Sequence, residues 1–440
     1  MIFRESMSRD GPEALFSRLL NSGRDCFLLE SASGPSRSAR FSFLGADPHE
    51  KATYSNGSVS FGGSRRKERI DSFLRENMKR RKPTSSMPFP YIGGFVGYFS
   101  YDTIRHFEKL PDRHSGSSFP DAELGLFTDG FIFDHVAGRS YYFSWDDDRE
   151  KEFVAADPLE KEQVHTRLEP LQTKSSYIES VEKAKEYIRD GDIFQVVLSR
   201  RLSMKGTRGM LPFYSALKSL NPSPYMYYVK FGGREVIGSS PETLVRVTGR
   251  KVVTYPIAGT RPVSSNTEQD AALEAELLND AKERAEHNML VDLARNDVGR
   301  VSRFGSVSVP EYMTVQKYSH VQHIVSRVEG TLASGKNAVD ALFSVFPAGT
   351  VSGAPKIRAM EIIEELEKYR RGPYAGAVGY YSFNGSLDSA ISIRTLFRNG
   401  SDAFLQAGGG IVHDSVPEKE YAETESKLGA LLTVFGSGSG

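Results

Sequence analysis

The sequence predicts an α+β fold: antiparallel β-sheets packed as a sandwich, flanked by helices, in two intimately packed subdomains. Three observations lead there. Short segments in which apolar and polar residues alternate recur along most of the 440 residues. Tight-turn signals join several of them, Asn56-Gly57 being the clearest. Helical stretches are interspersed without regular strand–helix–strand alternation, which argues against a parallel sheet.

Taken in order, Phe27–Ser31, Ala52–Phe61, Gly130–Val136 and Ser140–Trp145 read as strands. Gly93–Ser100 is an aromatic strand whose glycines permit close backbone approach. From Asp146 to Lys174 the chain turns polar and charged, with Pro158 and Pro170. A domain boundary is expected there, separating an N-terminal subdomain (1–169) from a catalytic one (170–434), with a flexible Gly/Ser tail at 435–440. Tyr177–Arg189 has helical spacing, closed by Gly191. Strands follow at Ile193–Ser199, Tyr225–Phe231, Glu235–Gly238 and Leu244–Val247. A helix runs from Glu268 to Leu293, broken near Asn279-Asp280. Further strands are expected at Ala375–Phe383, Ser389–Phe397 and Asp402–Ala407, and a last helix at Pro417–Leu432.

Composition excludes several functions. Lys plus Arg equals Asp plus Glu at 56 each, so nothing steers the chain to nucleic acid or an anionic membrane. No run approaches the roughly 18 apolar residues of a membrane helix, and no signal peptide is seen. The single cysteine, Cys26, allows no internal disulfide, so a reducing, cytoplasmic setting is expected. Cys26 also lacks a nucleophile setting, so the chain carries no glutaminase of its own.

Two Glu-x-x-Glu pairs carry the chemistry: Glu283 with Glu286, and Glu420 with Glu423. Residues three apart share a helix face. One such pair is ordinarily a solvated surface. Two helices brought together would gather four carboxylates, more negative charge than a dry pocket holds without a cation. Mg²⁺ suits such oxygen donors. Gly408-Gly409-Gly410 ends a strand, and consecutive glycines let backbone N–H groups converge on an anion. Arg394 lies in an apolar strand on the same side as Ser392 and Ala390, where an arginine ordinarily has a carboxylate partner, either structural or a substrate's. Small-residue loops surround Gly259-Thr260 and Thr350, neither with the spacing of a Walker loop. His320 and His323 share a strand, where histidine is ordinarily only hydrogen-bonded.

With these motifs the chain resembles the chorismate-utilising enzymes, and among them the component I proteins of the anthranilate-forming branch. The resemblance spans nearly the whole chain. It is densest from Gly191 to Lys427, through Gly-Asp-Ile-Phe-Gln195, Ser-Ser-Pro-Glu242, Pro-Ile-Ala-Gly-Thr260, Lys-Glu-Arg-Ala-Glu286 and Pro-Ala-Gly-Thr350. It implies Mg²⁺ held by Glu286 and Glu423, with Glu283 and Glu420 on metal-bound waters and Lys427 balancing charge. It implies a substrate carboxylate at Tyr374, Arg394 and the amides of Gly408 to Gly410, with Gly259, Thr260 and Thr350 lining the ring. Glu242 is the expected acid for the leaving hydroxyl, and His323 assists pyruvate elimination. Water-using members carry lysine where this chain has Gln195, and 4-amino-4-deoxychorismate-forming members carry it at Ala258. The resemblance further implies a separate glutamine amidotransferase subunit as ammonia source. It implies inhibition by tryptophan at Glu30, Ser31, Asn221, Pro224, Tyr225 and Met226. Aminodeoxychorismate synthase component I and a non-catalytic tryptophan-binding homologue are the alternatives.

Overall fold

The computed structural model describes residues 1–31, 40–81, 83, 87–155, 167–205, 209–317 and 321–436. Among them are two twelve-stranded sheets, and every strand pairing is antiparallel. The first runs from Ile2–Glu5 at one edge to Arg167–Pro170 at the other; the second runs from Ile257–Pro262 to Ser64–Lys67. Their facing sides bury one large core in which Phe27 and Phe43 of the first sheet meet Tyr91, and Phe27 also meets Phe127. Helices Pro12–Asn21, Leu211–Leu220 and Pro417–Gly436 cover the outer face of the first sheet through a second apolar cluster. Helices Lys174–Arg189 and Lys356–Leu366 pack over its far end through a third. The sandwich with flanking helices is the architecture the sequence predicts.

Both sheets continue across residue 170. In the first, Cys26–Glu30 pairs with Tyr225–Phe231, placing Glu30 opposite Met226. In the second, Gly94–Phe99 pairs with Ala377–Ser382, placing Gly97 opposite Gly379. A β-carbon on Gly97 would meet the Glu123 carbonyl at 2.1 Å, so this ladder tolerates no side chain there. The expected 1–169 and 170–434 segments therefore share both sheets. The Asn56-Gly57 turn has positive φ at both residues, 52° and 71°, as a two-residue hairpin requires. The long helical stretch breaks at Asp280, which ends Thr267–Asn279 and caps Ala281–Gly299 by accepting from the amides of Lys282 and Glu283.

Three readings differ from the structure. The strand expected over Ser389–Phe397 is two strands, Leu387–Ile391 and Thr395–Asn399, in different sheets. Residues 392–394 carry the chain between the sheets, and Arg394 adopts φ 51° at that corner. Alternation with Ser392 and Ala390 does not apply across it. Gly408 to Gly410 do not end a strand: Asp402–Ile411 runs through them, pairing Gly408 with Ser199 and Gly410 with Val197. The last helix continues to Gly436, beyond the expected Leu432. His320 and tail residues 437–440 lie outside the described residues.

Candidate active site

The site forms where two paired connections cross from one sheet to the other. The first sheet's Arg234–Ser240 continues into the second sheet's Thr243–Thr248 through Pro241 and Glu242. Beside it, Leu387–Ile391 continues into Thr395–Asn399 through 392–394. The two crossovers are bonded together. The Ile391 amide donates to the Glu242 carbonyl at 3.0 Å, Ser240 Oγ to the Ile391 carbonyl at 2.7 Å, and the Ser239 amide to the Arg394 carbonyl at 3.2 Å. Glu242 and Arg394, far apart in sequence, are thereby held side by side.

Two adjoining cavities open there, of about 730 and 220 Å³, both lined by Thr260, His323, Arg394 and Lys427. Glu242, Thr350, Tyr374 and Gly408 line the smaller; all four glutamates of the two pairs line the larger. Polar groups from several elements thus converge on a space of small-molecule size.

Glu242 is buried and accepts a 2.7 Å hydrogen bond from Thr350 Oγ1. Burial raises its carboxyl to about 7, against the Thr350 bond and the charges of Arg394 and Lys427. A carboxylic acid poised there can deliver a proton near neutrality. His323 follows from a bulge. Ala258 pairs with Ile324 and Arg261 with Gln322, so Gly259 and Thr260 together oppose His323. His323 Nδ1 lies 2.8 Å from the Gly259 carbonyl, which fixes the proton on Nδ1 and leaves Nε2 as an acceptor. Burial holds the imidazole below its ordinary pKa, so it is neutral at pH 7. Gly259 sits at φ 65°, and a β-carbon there would meet Leu277 at 2.9 Å and Glu283 at 3.1 Å.

Register decides what the three glycines offer. Val197 and Ser199 turn their amides away from the glycine strand, to the Ser352 carbonyl and the Glu367 carboxylate. Their partners Gly410 and Gly408 are therefore non-hydrogen-bonded positions, whose backbone groups also point outward. The Gly408 carbonyl accordingly accepts from Lys427 Nζ at 2.8 Å. Gly409 is held in the ladder. Two amides rather than three can face an anion, and no converging nest exists. A β-carbon on Gly408 would approach the Tyr374 hydroxyl to 3.0 Å, which explains glycine there.

The four glutamates share the groove but are separately engaged. Glu286 accepts from Gln195 Nε2 at 2.8 Å, Glu283 pairs with Arg261 at 3.3 Å, and Glu423 pairs with Lys427 at 2.7 Å. Burial raises Glu286, against the Gln195 bond, and the Glu283 and Glu423 charges push it further. Burial raises Glu420, and the Glu423 charge adds to it. Among the described residues no three His, Cys, Asp or Glu side chains form a ready metal cage. The donor set still fits a hard cation. Mg²⁺ needs only one or two direct carboxylates and keeps its waters, and a cation here would relieve this repulsion.

Sequence reasoning missed two contributors. Lys282 lines the groove and lowers the pKa of Glu286 and Glu420 by its charge. It stood inside the Lys282-Glu-Arg-Ala-Glu286 motif and was legible. Pro241 also lines both cavities. Asn221 departs from its expected place, lining the larger of these cavities rather than the one that Glu30 and Ser31 line.

A third cavity, of about 230 Å³, lies between the sheets and is lined by Glu30, Ser31, Pro224, Tyr225 and Met226. Ser31 Oγ is buried with no hydrogen-bond partner among the described residues. Glu30 is engaged by Tyr214 at 2.5 Å and Lys218 at 2.9 Å. Cys26 is fully buried, which raises its thiol far above the ordinary range and makes it unreactive.

A family model described as chorismate binding enzyme matches residues 24–433, and the chain belongs to that family. More particularly, it is similar to anthranilate synthase component 1 of Methanothermobacter marburgensis, at 47% identity over 98% of this chain and 94% of the relative. The corresponding protein of Saccharolobus solfataricus is 46% identical over 93% of each. The crystal structure of anthranilate synthase component I from Streptococcus pneumoniae superposes with a TM-score of 0.83, at 38% identity over 91% of this chain and 93% of that one. The menaquinone-specific isochorismate synthase of Escherichia coli shares the fold, with a TM-score of 0.78 at 21% identity over 99% of this chain and 94% of that one. Among the described residues no helix is long and apolar enough to cross a membrane.

Proposed function

We infer that the chain converts chorismate and ammonia to anthranilate, pyruvate and water, as component I of a two-component enzyme in the reducing cytoplasm. The observation that carries this reading is a pair of neutral side chains. Gln195 reaches Glu286 at the groove, and Ala258 lines the smaller cavity, where water-using and 4-amino-4-deoxychorismate-forming relatives carry lysine. Neither can deprotonate water or attack the ring. Ammonia, already a nucleophile, needs neither.

In this reading Glu286 and Glu423 would hold Mg²⁺, with Glu283 and Glu420 accepting from its waters, and the ion would supply positive charge against one substrate carboxylate. Arg394, Tyr374 and the outward amides of Gly408 and Gly410 take the other. Ammonia forms the bond at C2 as the C4 hydroxyl departs. Glu242 gives that hydroxyl its proton, so water leaves. Neutral His323 offers Nε2 to take the C2 proton as the bond between the ring and the enolpyruvyl oxygen breaks and the ring aromatises; the departing enolpyruvyl methylene takes up a proton to become pyruvate. With no reactive thiol here, ammonia comes from a glutamine amidotransferase subunit. Pyruvate and anthranilate appearing one to one from chorismate and ammonium supports the reading; consumption of chorismate without pyruvate overturns it.

Regulation by tryptophan belongs to the same reading. The 230 Å³ cavity has an apolar wall and the unpartnered Ser31 hydroxyl for the ligand's polar end. Its turn is tied to both crossovers. The Asn221 carbonyl accepts from Ser239 Oγ, whose amide holds the Arg394 carbonyl, and the Tyr225 hydroxyl lies 2.8 Å from Thr243 Oγ1, beside Glu242. A ligand that shifts the turn shifts Arg394 and Glu242.

A further inference from the structure

We propose that Arg371, oriented by Glu367, is the positioning residue that sets the Thr350 turn and Tyr374 against the substrate cavity. The proposal rests on the reading above and deepens it. Neither side chain lines either of the two adjoining site cavities. Arg371 is 2% and Glu367 4% exposed. From behind the wall, however, they hold much of it.

Arg371 Nε and Nη2 form a fork on the Glu367 carboxylate at 3.0 and 2.6 Å. Nη2 also donates to the Val197 carbonyl and Nη1 to the Val351 carbonyl, each at 2.6 Å. The guanidinium lies 5.7 Å from the Tyr374 ring centroid and 4.8 Å from that of Tyr101. Glu367 Oε1 accepts from the Ser199 amide at 2.8 Å and its hydroxyl at 2.6 Å; Ser199 Oγ in turn accepts from Gln406 Nε2 at 2.7 Å. Val197, Val351, Tyr374 and Gln406 all line the smaller cavity. One buried guanidinium thus joins the Gln195–Lys205 strand, the 349–351 turn and Tyr374. Thr350 is next to the held Val351 carbonyl, and its hydroxyl grips Glu242.

Stability alone does not account for such a pair. Desolvating two charges costs several kcal/mol, and well-packed apolar replacements of buried pairs are often neutral or stabilising. What apolar groups cannot supply is direction. The planar fork reaches acceptors on three segments at once; a lysine has one nitrogen and cannot. Geometry is the property that the pair contributes, and geometry is what catalysis reads out, since a displacement of about 1 Å costs on the order of 100-fold.

The test compares parent, Arg371→Lys, and the double variant Arg371→Met/Glu367→Leu. Anthranilate formation by the parent is measured first; its absence counts against the functional reading, and the amide-exchange arm then tests this inference alone. Arg371→Lys is expected to fold, to lose kcat on the order of 100-fold with KM changed less than about threefold, and to exchange the amides of Val351 and Ser352 about tenfold faster. The double variant, where it folds, shows the same kcat loss. Combining Arg371→Lys with Thr350→Val is expected to cost no more than the worse single change, because both act through one turn. A kcat within threefold of the parent in Arg371→Lys overturns the proposal. Fully multiplicative losses in the combined variant, or unchanged exchange at 351–352, overturn it equally.

Discussion

Replacing Glu242 by Gln tests its assignment as the acid through two independent readouts. Burial raises this carboxyl from 4.5 to about 7. A folded-state pKa above the unfolded one means that the group's contribution to stability is fully present below about 4.5. That contribution is lost as pH rises through about 7. Raising the carboxyl from 4.5 to about 7 corresponds to about 3 kcal/mol. Gln cannot ionise and still accepts from Thr350. The variant should therefore be more stable than the parent at pH 8, by up to about 3 kcal/mol, and about equal to it at pH 4.5. Activity should go the other way. If protonated Glu242 supplies the proton, parental kcat falls as pH rises through about 7, at constant free ammonia. That limb should vanish in Glu242→Gln. In Thr350→Val, loss of a hydrogen bond to the charged form raises the pKa. At about 1.5–3 kcal/mol for such a bond, the limb moves up by about 1–2 pH units. Thermal melts at pH 4.5 and 8, with kcat–pH profiles of all three proteins, give the answer. An unchanged limb in Thr350→Val, or equal stability of parent and Glu242→Gln at pH 8, would refute the reasoning.

Glu286→Gln and Glu423→Gln should abolish turnover while leaving the fold intact, and should remove the rise in melting temperature expected of the parent on adding Mg²⁺; activity of both near the parent's in EDTA-treated buffer counts against the metal site. His323→Met should damage pyruvate elimination more than amination, so that an amino intermediate accumulates on chromatography; equal loss of both steps makes His323 a positioning group instead. Ser31→Ala or Met226→Thr should raise the tryptophan concentration needed for inhibition, with little change in uninhibited turnover. Coupling is reciprocal, so saturating chorismate should weaken tryptophan binding in calorimetry; affinity unchanged by chorismate and by both substitutions removes the basis for that site.

Local signals carried much of this site. Glu283 and Glu286 were legible because spacing on one helix is a local property, and so was the break at Asp280, whose side chain caps the next helix. Arg394 stood out in the sequence and does line both cavities, but its setting was not legible. Apolar residues on both sides of it read as one strand, and only the two-sheet topology reveals a crossover. The glycines suggested backbone donors, but which amides are free depends on their register with Val197 and Ser199, a pairing across some 200 residues. The family resemblance grouped Asn221 with Pro224 to Met226, yet the turn lies between two cavities, with Asn221 lining one and Pro224 to Met226 the other. Arg371 left no signal beyond a charge near Glu367. Its meaning lies in bonds to carbonyls 20 and 174 positions away.

The central claim is that ammonia, not water, attacks chorismate here and that the product is aromatic. Incubating the purified chain with chorismate, Mg²⁺ and nitrogen-15-labelled ammonium, then resolving the products by mass spectrometry, tests it most directly. The account predicts anthranilate carrying the label, formed with equimolar pyruvate, and none when glutamine replaces ammonium. Isochorismate, salicylate or labelled 4-amino-4-deoxychorismate as the main product would contradict it.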